Sequence, residues 1–68
     1  MNKQAAGINT NPRLLRANDV AKILNISLAL AYRLLQTGEL PCVRIGTAVR
    51  VRPEDLEAYI DANLTRNF

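Results

Sequence analysis

The sequence predicts a mainly α fold of three short helices and one small β-hairpin. Three observations carry that prediction. Two stretches repeat apolar residues at helical spacing, and only Asn25-Ile26-Ser27 separates them. Two short alternating segments, Val43-Arg44-Ile45 and Val49-Arg50-Val51-Arg52, flank a glycine at position 46. A proline at position 53 then opens a third apolar-periodic stretch.

Each element can be justified in order. Residues 1–12 lack any useful period and end in Asn9-Thr10-Asn11-Pro12, so they are expected to form a flexible N-terminal arm. Leu14-Leu15 reads as a short extended piece entering the fold. In the first helix, residues 17–24, Ala17, Val20, Ala21 and Leu24 fall on one face. Asn25 is expected to end it, because Asn tolerates the left-handed conformation of a sharp turn. Ser27 suits the N-cap of the second helix, residues 28–37, which Gly38 stops. Ala31, Leu34 and Leu35 form its buried face, with Leu28 at the edge. Ala29, Tyr32, Arg33 and Gln36 face the other way.

The hairpin is expected to turn through Gly46-Thr47-Ala48. Its apolar side covers the core, and Arg44, Arg50 and Arg52 share the outer side. Pro53 suits the first position of the third helix. Glu54, Asp55 and Glu57 follow, where the helix dipole favours negative charge. Leu56, Tyr59 and Ile60 form its packing stripe, with Leu64 as an extension. The folded domain is therefore placed at residues 13–62, with a fraying tail at 63–68.

Bulk properties bound the possibilities. A chain of 68 residues makes one small domain with a thin core. Its hydrophobic fraction of 49% is too high for a disordered chain. The net charge of +3 is unevenly spread. Residues 1–52 hold eight cations against Asp19 and Glu39, and residues 53–68 hold Arg66 against Glu54, Asp55, Glu57 and Asp61. A basic body beside an acidic end suggests an anionic partner.

Cys42 is the only cysteine, and there is no histidine. No internal disulfide, structural zinc site or nucleophile–base pair follows from that inventory. The acidic residues of the third helix are accounted for by helix-end electrostatics rather than by a metal. The expectation is a non-enzymatic protein with no cofactor, metal or small-molecule substrate. No apolar run is long enough for a membrane span or a signal peptide, so a bacterial cytoplasmic location is expected.

These segments, taken together, resemble a known family. They are Leu14-Leu15-Arg-Ala-Asn-Asp-Val-Ala-Lys-Ile-Leu-Asn-Ile-Ser, Tyr32-Arg-Leu-Leu35, Thr37-Gly-Glu-Leu-Pro41, Val43-Arg-Ile-Gly46 and Arg50-Val-Arg-Pro-Glu-Asp-Leu-Glu-Ala-Tyr-Ile60. The resemblance is to the excisionase-family DNA-binding domain, MerR-like and AlpA-like in its relations, with a winged helix-turn-helix fold. It implies sequence-selective binding of duplex DNA. The second helix would enter the major groove, and the hairpin wing would follow the backbone or minor groove. In place of the Ser-Arg-Ser-Thr-like run frequent in that family, this chain has Ser27-Leu28-Ala29-Leu30-Ala31. That removes hydrogen-bonding base readers and moves the weight toward DNA shape.

The candidate DNA-binding residues on the recognition helix are Ser27, Ala29, Tyr32, Arg33 and Gln36. Those on the wing are Arg44, Thr47, Arg50 and Arg52, with Arg16 and Lys22 as further phosphate contacts. Several carry two readings. Tyr32 either donates to a phosphate or covers the core edge. Arg33 either meets guanine or phosphate or is simply solvated. The wing arginines either bind phosphate or protect an edge strand, and Arg52 alternatively pairs with Glu54 or Asp55.

Three functions are consistent with this surface. The resemblance favours a recombination directionality factor of a prophage or other mobile element. Such a factor binds and bends DNA at element ends, beside an integrase (a tyrosine recombinase) and neighbouring copies of itself. A small AlpA-like transcriptional regulator is the alternative. A protein-interaction adaptor without DNA binding is the reading from another class.

Overall fold

The computed structural model describes residues 13–67. The N-terminal arm expected at residues 1–12 lies outside them. The element order is α1 (Ala17–Leu24), α2 (Leu28–Thr37), β1 (Val43–Ile45), β2 (Ala48–Arg50) and α3 (Pro53–Ala62). Three helices with one antiparallel hairpin make a winged helix-turn-helix, as the sequence predicts.

Short-range chemistry sets each boundary. The Arg16 backbone N–H donates to the Asp19 carboxylate at 3.0 Å. This is half a capping box, because an arginine side chain has no acceptor with which to return the bond. At the other end Asn25 adopts φ 58° and ψ 49°, the left-handed conformation. Its N–H donates to the Lys22 carbonyl, and Ile26 N–H donates to the Ala21 carbonyl. That pair of bonds is the Schellman closure, and it turns the chain sharply into α2.

Ser27 Oγ accepts from Leu30 N–H at 3.1 Å and caps α2. Gly38, at φ 81°, ends it. A side chain there would meet no neighbour, so conformation rather than space calls for glycine. The chain then folds back, and Leu40 N–H donates to the Leu34 carbonyl at 3.1 Å.

The core gathers residues from every helix and the hairpin. Val20, Ala31, Leu40 and Val51 are completely buried, with Ala17, Ala21, Leu34, Leu35 and Leu56 nearly so. Leu40 is the member that periodicity does not reveal. It stands alone between Glu39 and Pro41, and the fold-back after Gly38 is what carries it inside.

The hairpin departs from expectation in one respect that matters. Its loop is Gly46-Thr47 alone, with Ala48 already in β2. Gly46 has φ 60° and Thr47 does not have a positive φ, the pattern of a type II′ turn. The register pairs Val43 with Arg50, Arg44 with Val49, and Ile45 with Ala48. Directly opposed residues share a face. Arg44 therefore lies on the side of Val49, and Arg50 lies on the side of Val43. The arginines do not form one outer face. A loop one residue longer would have paired Arg44 with Arg50, and a one-residue slip moves every side chain across the sheet.

Val51 continues β2 as a single bridge to Leu15. Leu15 N–H donates to the Val51 carbonyl at 2.7 Å, and Val51 N–H returns a bond at 2.8 Å. The extended piece expected at Leu14-Leu15 thus becomes a third edge of the small sheet. α3 ends at Ala62, where the Asn63 side chain donates to the Tyr59 carbonyl at 2.8 Å. Leu64 is exposed beyond it and does not extend the packing stripe. Among the described residues, no helix is long and apolar enough to cross a membrane.

The isolation of Leu40 makes it a sensitive probe. Leu40→Ala is expected to cost about 2–5 kcal/mol, the range for large-to-small changes in a packed core. Urea denaturation followed by circular dichroism measures it. A loss well below that range would show that the turn after α2 does not anchor the core.

Candidate nucleic-acid interface

Burying Ala31, Leu34 and Leu35 turns the opposite face of α2 outward. Ala29, Tyr32, Arg33 and Gln36 are all exposed. The Ser27 hydroxyl is occupied as an acceptor by the cap, and its own hydrogen remains free to donate. Tyr32 is 48% exposed, so part of the residue is accessible at the surface.

Tyr32 divides two depressions between α2 and the hairpin. One, of about 230 Å³, is lined by Arg16, Asn18, Tyr32, Thr47 and Arg50. The other, of about 170 Å³, is lined by Tyr32, Gln36, Cys42, Arg44 and Val49. Arg50 lines the first depression and Arg44 the second, while Val49 borders both. Arg33 and Ala29 lie outside both, on the exposed flank of α2, and Lys22 is exposed on α1.

The Leu15–Val51 bridge brings the N-terminal segment alongside. Continuing its antiparallel register sets Arg16 opposite Arg50. Both line a further depression of about 510 Å³ with Arg13 and Asp19. Two like charges side by side repel, and an anion between them relieves that repulsion. Arg50 commits one N–H to the Val49 carbonyl at 2.8 Å, which leaves four donors. Among the described residues, the only ion pairs are those of Arg52. Arg16, Lys22, Arg33, Arg44 and Arg50 have no acidic partner there.

Arg52 takes the second of its two readings, since it lies just past β2, at the N-cap of α3, and pairs with acids there. Its guanidinium forks onto the Asp55 carboxylate at 2.7 and 2.9 Å and approaches Glu54 at 3.7 Å. The hydrogen bond from Arg52, with its positive charge, holds the Asp55 carboxyl below the usual carboxylate range. The same bond raises the Arg52 pKa further above its ordinary value. Two of the five guanidinium N–H donors of this arginine are therefore engaged within α3.

Two residues of the interface were not singled out in the sequence. Asn18 belongs to the depression around Tyr32, and Arg13 extends the basic cluster. The available signal for Asn18 was its place in the first turn of α1, off the buried face. Nothing local marked Arg13, whose position depends on the Leu15–Val51 bridge. Among the described residues, no three His, Cys, Asp or Glu side chains gather to hold a metal ion.

Residues 14–64 match the family described as the helix-turn-helix domain. The chain belongs to the helix-turn-helix domain family. This is a DNA-binding family that includes excisionase-like and AlpA-like proteins. The chain is also similar to two Mycobacterium tuberculosis proteins, one from strain CDC 1551 and one from strain H37Rv. They bear the names "Putative DNA-binding protein MT0521" and "Putative DNA-binding protein Rv0500A". Each is 32% identical over 57 residues, covering 84% of this chain and 73% of the relative. No solved structure gives a significant match. DNA binding thus agrees with the basic, unpaired arginines around Tyr32.

The Arg52–Asp55 pair has a pH signature. A carboxyl with a depressed pKa stabilises the fold above its unfolded pKa, and that contribution is lost as pH falls through the depressed value. Asp55→Asn is therefore expected to flatten the acid side of the stability profile and leave the alkaline side unchanged. Urea midpoints measured from neutral pH downward check this, and parallel acid limbs in the two proteins would refute it.

Proposed function

We propose that this chain binds double-stranded DNA sequence-selectively as an excisionase-like recombination directionality factor. In this reading it binds and bends DNA at the ends of a mobile element and so promotes excision by an integrase. The observation that supports it most is the set of unpaired arginines on both sides of Tyr32.

The physical argument begins with α2 in the major groove. Arg33 and Gln36 reach base edges, Ala29 meets a thymine methyl, and Ser27 and Tyr32 donate to phosphates. Arg50, Thr47 and Arg16 take the backbone on one side of Tyr32, and Arg44 takes it on the other. Lys22 adds a contact from α1. Phosphate contacts outnumber base readers in this arrangement. Each neutralised phosphate releases counterions and contributes about 0.9 to the slope of log K against log salt.

A binder rich in backbone contacts and poor in base readers discriminates through shape and deformability. Bending then lets the duplex reach more of the basic surface, and the added contacts offset the cost of deformation. That balance favours an architectural role over reading a promoter sequence. The partners in this reading are double-stranded DNA, a tyrosine-recombinase integrase and neighbouring copies of this chain.

Arg33→Ala is expected to weaken specific binding by about 1–3 kcal/mol, the worth of one good base contact. Arg50→Ala is expected to lower the salt slope by about one, and Arg52→Ala to leave it unaltered. Anisotropy titrations over a salt series read all three. The deciding experiment is capture of fragmented genomic DNA by the purified protein, followed by sequencing. Enrichment at the ends of an integrated element supports the excision role. Enrichment at promoters alone replaces it with a regulator, and no enrichment at low salt overturns DNA binding.

A further inference from the structure

An apolar groove lies on another side of the molecule from the depressions around Tyr32. Ile23 of α1 and Pro53, Leu56 and Ile60 of α3 line it, with Leu15 at one end. Its volume is about 490 Å³. Leu56 is buried in its floor, whereas Ile23 is 55% exposed and Ile60 42%. Ile23 stands about 140° around α1 from Asn18 at 100° per residue, so the two side chains serve different surfaces. A single exposed isoleucine needs no explanation. Two from different helices, facing one groove, form a patch.

The rim of this groove is acidic. Glu54 and Glu57 line it, and no Lys or Arg does so among the described residues. Helix-end electrostatics accounts for Glu54 and Asp55, which occupy the first turn of α3. Glu57 and Asp61 fall beyond that turn and have no ion-pair partner among the described residues. Glu54, Glu57 and Asp61 follow i, i+3, i+7 spacing, and Pro53, Leu56 and Ile60 follow the same spacing beside them. An acidic row therefore runs along an apolar row. The acidic row disfavours the phosphates of a duplex.

We infer that this groove docks a protein partner through a cationic amphipathic helix. Such a helix places a large aliphatic side chain between Ile23 and Ile60 and its Lys or Arg residues against Glu54 and Glu57. This is the helix-in-groove mode, with charge complementarity setting the orientation. The groove shares only Leu15 with the basic depressions, so both surfaces can be occupied at once. The inference stands whether or not the DNA reading holds.

The test uses the full chain and three fluorescein-labelled helical peptides, read by anisotropy at physiological salt. One peptide places Leu at i, i+3, i+4 and i+7 and Lys on the opposite face, one replaces each Lys by Glu, and one replaces each Leu by Ser. Only the Leu/Lys peptide is expected to bind. Ile60→Ser and Glu57→Lys are each expected to weaken it at least tenfold while the variants remain folded by circular dichroism and still bind DNA. Glu57→Gln, which preserves shape, should weaken it less than Glu57→Lys. Failure of the Leu/Lys peptide to bind would overturn the proposal. So would equal binding of the Leu-to-Ser peptide, which would reduce the effect to charge alone. Sedimentation showing a dimer that Ile60→Ser dissolves would assign the groove to a second copy instead.

Discussion

The Leu15–Val51 bridge joins two chain segments that are far apart in sequence, through a reciprocal pair of backbone hydrogen bonds at 2.7 and 2.8 Å. Much of the molecule depends on it. It closes Val51 into the core, and it gives the two-stranded hairpin a third edge. It also lays Arg16 beside Arg50. Without it the hairpin is a two-stranded ribbon, which is marginal in water. With it, the wing is fastened to the segment that leads into α1, and its cations stand at fixed positions relative to α2.

Charge is segregated on this frame with few internal cancellations. Cations flank Tyr32 on both sides, and the acids of α3 line a different surface. The hydrogen-bonded pair of Arg52 with Asp55 sits at the seam between wing and helix. There it ties the Arg52 guanidinium to the first turn of α3. Exposed pairs of this kind add little stability by themselves. Its consequence is positional: the negative first turn of α3 is neutralised where it adjoins the wing.

The helices and their ends were legible from short-range signals. Asn25, Ser27, Gly38 and Pro53 each act within a turn of their own position, so their effect survives without knowledge of the rest of the chain. The wing was legible as a hairpin but not in its facing. Reading the loop as Gly46-Thr47-Ala48 aligns the arginines, and the Gly46-Thr47 loop separates them. A difference of one residue, invisible to the alternation pattern of either strand alone, decides which cations share a side. Leu40 was missed for a related reason. A lone apolar residue in a turn has no period, and its burial follows from where the turn leads.

The sequence by itself determined the number and limits of the helices, the outward face of α2 and the basic character of its surroundings. These depend on periodicity and capping, which operate over a few residues. Tertiary structure alone decided that Arg44 and Arg50 serve opposite sides of Tyr32 and that Arg16 joins Arg50. It also decided that Ile23 and Ile60 meet across one groove. Each of those outcomes depends on strand register or on contacts between residues distant in sequence, and neither is encoded in any local window.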